Sequence, residues 1–267
     1  MRTVLLHGAP RSGTSWLGQI FNSSENVRYV FQPLFSYEFK STLGESSSLD
    51  DIEDFFQKML ITQNDFILQK PQIRRGAHSS FNKEEVETLV MKHVRYHFII
   101  ENIIKKDPSV RVVGIVRDPR GVINSWLKTP REFSSEWSAS EEWRTAPSKN
   151  QGRVEEYYGF EKWKEFSRLS IRLSNLYSNN FKLVQYEDLL ADKIEQVGQI
   201  FDFCNINFGS QTRNFLIETN SIEVDDPDTS FRFADVSKRW NQELSREIAE
   251  EIAEDLKGTA LEVFLRN

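Results

Sequence analysis

One cysteine stands in the whole chain, Cys204, so no internal disulfide can form. It lies in the apolar run IFDFCNI, where a thiol behaves as a small buried hydrophobe rather than as a nucleophile. Long apolar runs are also absent. No stretch approaches the roughly 20 apolar residues that cross a bilayer. Residues 1–6 leave too little chain for a signal peptide ahead of the first glycine turn. These absences predict a soluble, cytoplasmic protein with no membrane partner. An excess of positive charge is missing too: 34 lysines and arginines face 40 aspartates and glutamates, a net charge of −6. General nucleic-acid and heparin binders need positive potential, so that class is excluded, although a local basic pocket is not. Histidine is scarce. His93 and His97 fall four apart on a predicted helix face, but no H-E-x-x-H and no third ligand accompany them, so no metal is expected.

What the chain does have is alternation of strand and helix. TVLLHG (3–8), VRYVFQP (27–33), NDFILQKP (64–71), SVRVVGIVRDP (109–119) and NFKLVQYEDLL (180–190) read as strands or as strands entering helices. Helical spacing follows in TSWLGQIFN, capped by Thr14 or Ser15, and in a segment from Asp50 or Asp51 to about Leu60. Residues 82–106 read as one long amphipathic helix, PRGVINSWLK as a helix opened by Pro119, and roughly 155–178 and 244–257 as two more, the last ending at Gly258. Residues 129–154 are polar, with scattered tryptophans and little period, and read as a surface excursion or lid. The pattern predicts a single α/β domain over 1–267, with a mainly parallel central sheet flanked by helices in a P-loop-like three-layer fold. Ligands of such sheets bind at the carboxyl ends of the strands, where the Pro10, Lys70 and Arg117 turns fall.

HGAPRSGTSWL, His7 to Leu17, has the G-x-x-x-x-G spacing of a phosphate loop between strand and helix. Backbone N–H groups and the helix N-terminus make such a loop an anion site. The lysine that follows the second glycine in nucleotide triphosphatases is absent; Thr14 stands there, with Ser15 after it. The cation within the loop is Arg11. Ser12, Gly13, Thr14 and Ser15 suit a 5′-phosphate group, with Arg11 over whatever group is transferred.

PRSGTSWL resembles the 5′-phosphosulfate loop of sulfotransferases that use 3′-phosphoadenosine 5′-phosphosulfate (PAPS). IVRDPRGVINSW is similar to their 3′-phosphate motif, an arginine at a strand end followed eight residues on by a serine, here Arg117 and Ser125. An arginine fork suits a phosphate monoester, and a hydroxyl two turns into the helix adds a donor. KLVQYEDLLAD resembles the family's YEDL segment, which implies Tyr186 near the adenine, and Trp16 matches a tryptophan that stacks on it. Where cytosolic members carry an Arg-Lys-Gly turn, this chain reads SFRFADVSKRW, leaving Arg232, Lys238 or Arg239 for the 3′-phosphate. GQIFNSSENVRYVFQPLF is closest to the carbohydrate branch. The resemblance implies transfer of a sulfuryl group from PAPS to a hydroxyl of a saccharide or small metabolite, adenosine 3′,5′-bisphosphate (PAP) as product, and no metal.

The chemistry needs positive charge on the transferring group and a proton acceptor for the attacking hydroxyl. Arg11 and the strand-end Lys70 supply the first. For the second, the places where relatives carry a base read Gln32, Gln69 and Gln72, and an amide is no base at neutral pH. His78, His7 and Glu38 are the replacements, His78 first because its loop can reach the site. Three rivals stay open: an atypical P-loop kinase, a PAP-binding protein without transfer, and a scaffold with an empty pocket. Oligomeric state is not legible.

Overall fold

The computed structural model of the chain describes residues 1–218 and 238–266, framed by five strands in one sheet. In chain order they are β1 (Arg2–His7), β2 (Val27–Phe31), β3 (Thr88–His93), β4 (Arg111–Val116) and β5 (Phe181–Gln185). Side by side they run β2-β3-β1-β4-β5, and every pairing is parallel. From β1 the chain first builds the β2 and β3 side, then crosses to build β4 and β5. That reversal opens a crevice at the carboxyl end of β1, between loops that part in opposite directions.

Thirteen α-helices are described. Those around the sheet are α1 (Thr14–Asn22), α2 (Leu49–Ile61), α3 (Lys70–Arg74), α4 (Ile100–Lys106) and α5 (Pro119–Leu127). Two short ones, α6 (Ala139–Glu142) and α7 (Pro147–Asn150), lead to α8 (Phe160–Leu176). The rest are α9 (Tyr186–Ala191), α10 (Lys193–Cys204), α11 (Ser210–Glu218), α12 (Trp240–Glu243) and α13 (Arg246–Leu256).

Alternate residues of β1 enter opposite cores. Val4 and Leu6 pack with Leu17, Ile20 and Phe21 of α1 and with Phe201 of α10. Leu5 packs with Ile52 and Phe56 of α2 and Ile103 of α4. Both faces are therefore covered, which is why the strands are continuous apolar runs. A third cluster joins Trp126 of α5, Trp163 of α8 and Ile252 of α13. Cys204 is buried in the first core, and burial pushes its thiol pKa up. Helix ends follow expectation in part. Ser48 caps α2 in a capping box with Asp51, and Gly258, at φ 71°, follows the end of α13.

Two predicted elements are corrected. Residues 64–71 are not a strand. Asn64 Oδ1 accepts the N–H groups of Phe66 and Ile67, folding the segment into a turn that enters α3 at Lys70. Residues 82–106 are not one helix. They divide into β3, a turn with Tyr96 at φ 59°, a 3₁₀ segment His97–Ile99 and α4. The polar residues Lys92, His93, Arg95 and His97 imitate the wet face of a helix, yet all four are buried. His93 and His97 thus lie on different elements.

Candidate active site

The loop after β1 is shaped by two glycines and one strained arginine. A Cβ on Gly8 would fall 2.5 Å from Thr14 Cγ2 and 2.9 Å from Ile115 Cγ2. One on Gly13 would meet the Tyr186 ring at 2.4 Å. Arg11 and Gly13 both hold positive φ, 70° and 92°. No side chain caps α1, contrary to the expectation for Thr14 or Ser15. Its leading N–H groups, which lack carbonyl partners within the helix, are thus left for an anion. Arg11, Gly13, Thr14, Ser15 and Trp16 line a cleft of about 720 Å³. Ser12 does not: it is fully buried behind the loop.

Two distant motifs meet at this loop. Arg11 Nε donates to Ser125 Oγ of α5 at 3.1 Å. An Arg117 amino group donates to the Arg11 carbonyl at 3.2 Å. The Arg117 guanidinium also lies 4.8 Å from the centre of the Tyr186 ring, and Gly121 leaves room beside it. Trp16 meets Tyr186 edge-on at 6.1 Å. Asp118 caps α5 through the Arg120 N–H, and Pro119 occupies the first turn, so the sequence itself fixes where Ser125 points. Arg239 reaches the same cleft; Lys238 does not line it, and Arg232 lies outside the described residues.

The strand-end lysine of this cleft is Lys92 of β3, which the sequence reading missed. Its register partners are Leu6 of β1 and Phe31 of β2. Its Nζ lies 3.3 Å from Ser15 Oγ and 4.4 Å from the centre of the Phe31 ring. Burial brings its pKa down to about 7, opposed in part by Glu132. A neighbouring strand therefore places an ammonium at the loop that has no lysine of its own. The signal was present: LVMKH is an apolar run ending in a polar residue, like VLLH of β1 and GIVR of β4. Lys70, the expected lysine, is not among the cleft residues. Its ammonium is 2.9 Å from Asp65 Oδ1 and donates to the Gln63 carbonyl at 3.0 Å.

The opposite wall carries the three glutamines. Gln32 Oε1 accepts from Arg95, which is also paired with Glu156 at 2.8 Å. Gln69 accepts from Gln19 Nε2 and donates to His78 Nε2 at 3.1 Å. Gln69, Gln72 and His78 line the cleft with the aromatic rings of Phe31, Phe35, Phe66 and Tyr158. Met91 precedes Lys92 and Val94 stands two after it, while His93 between them is buried and its pKa lowered to about 3. The 129–154 excursion contributes Thr129, Arg131, Glu132 and Lys149 to the cleft. Glu38 is exposed and accepts from Asn64, away from the cleft.

Beneath the loop lie three histidines. His7 stacks on His93 at 4.9 Å, and its Nδ1 is 2.9 Å from Nδ1 of His97. All are buried, and desolvation holds His7 and His97 well below the usual range and His93 down to about 3. Burial therefore keeps these imidazoles neutral and makes them weak bases. Among the described residues no cluster of three or more His, Cys, Asp or Glu side chains could hold a metal, and no helix is long and apolar enough to cross a membrane.

The sulfotransferase domain model matches residues 1–260. Among curated proteins, human carbohydrate sulfotransferase 3 is 22% identical over 98% of this chain and 67% of its own length. Zebrafish (Danio rerio) carbohydrate sulfotransferase 1 is 20% identical over 92% of this chain and 74% of its own. The chain spans about two thirds of the length of such relatives. Among solved structures, a mouse sulfotransferase complexed with PAP superposes with a TM-score of 0.55 at 14% identity, covering 98% of this chain and 87% of that one. The sulfotransferase domain of the Synechococcus PCC 7002 olefin synthase gives 0.54 at 16% identity, covering 95% and 94%.

Proposed function

The chain belongs to the sulfotransferase domain family, and we propose that it transfers a sulfuryl group from PAPS to a hydroxyl of a saccharide or small metabolite. The observation that carries this reading is the meeting of two phosphate motifs: Arg11 bonds Ser125, and Arg117 bonds the Arg11 carbonyl. One donor with a 3′-phosphate and a 5′-phosphosulfate on the same ribose needs two such sites a fixed distance apart. Arg117, Ser125 and Arg239 would hold the 3′-phosphate. The N–H groups opening α1, with Thr14 and Ser15, would hold the 5′-phosphosulfate. Trp16 and Tyr186 offer faces to the adenine.

The donor supplies the sulfuryl group and departs as PAP. Arg11 and Lys92 flank the point of transfer, and both present positive charge where oxygen charge grows. Lys92 takes the role expected of Lys70. It is buried, so its charge acts in low dielectric and needs no rearrangement. The Phe31, Phe35, Phe66 and Tyr158 wall, with Gln32, Gln69, Gln72 and His78, forms the acceptor side. Rings there suit a sugar face or another flat apolar group, while the amides orient hydroxyls.

A kinase reading is disfavoured by Thr14 in the place of the loop lysine. The test is calorimetric titration with PAP without magnesium, beside ATP with magnesium. Tight PAP binding and weak ATP binding are expected. The reverse order would return the kinase, and no binding of either would remove the donor assignment.

A further inference from the structure

We infer that Glu132, from the excursion after α5, accepts the proton of the attacking hydroxyl. The inference rests on the sulfuryl-transfer reading above. In that reaction a hydroxyl oxygen bonds to sulfur, and the bond from sulfur to the 5′-phosphate oxygen breaks. Its electron pair leaves with PAP. The hydroxyl proton needs an acceptor at the cleft. Gln32 and Gln69 are amides, Met91 precedes Lys92, His93 after it is buried beneath the loop, and His78 Nε2 already accepts from Gln69.

Two carboxylates line the cleft among the described residues, Glu132 and Glu243. Glu243 Oε2 accepts from Asn124 at 2.8 Å. Glu132 Oε2 is buried, accepts no hydrogen bond among the described residues, and stands 3.6 Å from the Arg11 guanidinium. That is ion-pair range, beyond a hydrogen bond. The carboxylate oxygen thus faces the same cation assigned to the transferring group, with one acceptor position open. Lys92 of β3, Arg95 of the following turn, Lys149 of α7 and Tyr158 all fall within its field. Lys92, Arg95 and Lys149 thus surround this carboxylate with positive charge.

Glu132 is also held. Its N–H donates to the Thr129 carbonyl at 2.9 Å, and its carbonyl accepts the Trp126 indole N–H at 3.4 Å. Thr129 Oγ1 in turn donates to the Ser125 carbonyl. The turn that carries Glu132 is therefore an extension of α5, and a site on a braced turn keeps its aim.

The test compares the parent with Glu132→Gln, Glu132→Asp and His78→Asn. PAP affinity is read by calorimetry. Turnover of radiolabelled PAPS is read on neutral and acidic saccharides, aliphatic alcohols, 4-nitrophenol and water alone. Glu132→Gln is expected to bind PAP within about threefold of the parent and to lose roughly 10²–10⁴-fold in kcat on alcohols. Glu132→Asp is expected to recover part of the loss. With 4-nitrophenol at alkaline pH the acceptor is already an anion, so the loss shrinks to less than about tenfold. A structural role would not discriminate between these acceptors. If Glu132→Gln turns over alcohols within about threefold of the parent, or loses equally on the phenolate, the proposal is wrong. The same holds if His78→Asn carries the alcohol-specific loss instead. If the parent binds PAP but transfers to no acceptor, water included, there is no proton to accept and the proposal falls while the donor site stands. If the parent binds no PAP, the reading beneath it falls.

Discussion

The guanidinium of Arg11 donates to the hydroxyl of Ser125 across 3.1 Å, joining the first loop to a helix 114 residues later. Arg11 sits at φ 70°, a backbone state that costs energy for a residue with a Cβ, and this bond helps to hold it there. Arg11→Ala should lower kcat by roughly 10²–10³-fold, with a much smaller change in PAP affinity. Ser125→Ala should lose affinity and turnover together. A double-mutant cycle should return a coupling of about 0.5–3 kcal/mol. Additive effects would mean that the two side chains act independently.

Arg117 is proposed to serve the nucleotide end. Arg117→Ala is expected to weaken PAP by about 10- to 100-fold, the worth of a charge-assisted bond to a phosphate. Arg117→Lys should recover little, because a point charge does not reproduce the fork. Isothermal titration reads both. Unchanged affinity in the alanine variant would remove the assignment.

In the proposed role, Lys92 would set function against stability. Its folded pKa, about 7 against the usual 10.5, means that the unfolded chain holds this proton more tightly. The contribution of Lys92 to stability should therefore rise as pH increases from about 7 towards 10.5. Lys92→Met should abolish most turnover and flatten that slope. It should also raise Tm by about 2–8 °C, at about 2–4 °C per kcal/mol for a domain of this size. In kcat/KM, activity that needs the ammonium should decline as pH rises through about 7. A variant with parental turnover would return the cationic role to another residue.

The histidine floor gives acid sensitivity. His93 falls from 6.5 to about 3 on burial, and His7 and His97 shift the same way. The unfolded chain binds these protons first. Stability should therefore fall as pH drops below about 6.5 and go on falling towards 3. Thermal melts across this range check it. His93→Gln should reduce the slope; an unchanged slope would assign it to other groups.

The phosphate loop, β4, α5 and the β5–α9 turn were legible because their apolar runs end at glycine, proline or charged residues. Arg11, Ser125, Arg117 and Tyr186 meet as their order along the chain implies. Lys92 was hidden for a physical reason. At the carboxyl end of a parallel strand the polar residues are buried by loops from other strands, and no local period records that burial. Lys92, His93 and Arg95 therefore mimicked a solvated helix face. FILQK misled in the opposite way, since the carboxamide of Asn64 overrode its strand-like composition. Glu132 carries no signal in sequence, because its importance lies in facing Arg11 across the cleft.

The hydroxyl of Thr129 bonds the carbonyl of Ser125, so α5 does not end freely but continues into the turn that bears Glu132. Under the proposed reading one braced piece would touch both substrates. Donor bound at Ser125 would then steady that piece, and with it the carboxylate proposed to face the acceptor. Such coupling would favour one order of arrival, donor before acceptor. The proton acceptor, already aimed by the brace, would be held most firmly once there is something to transfer.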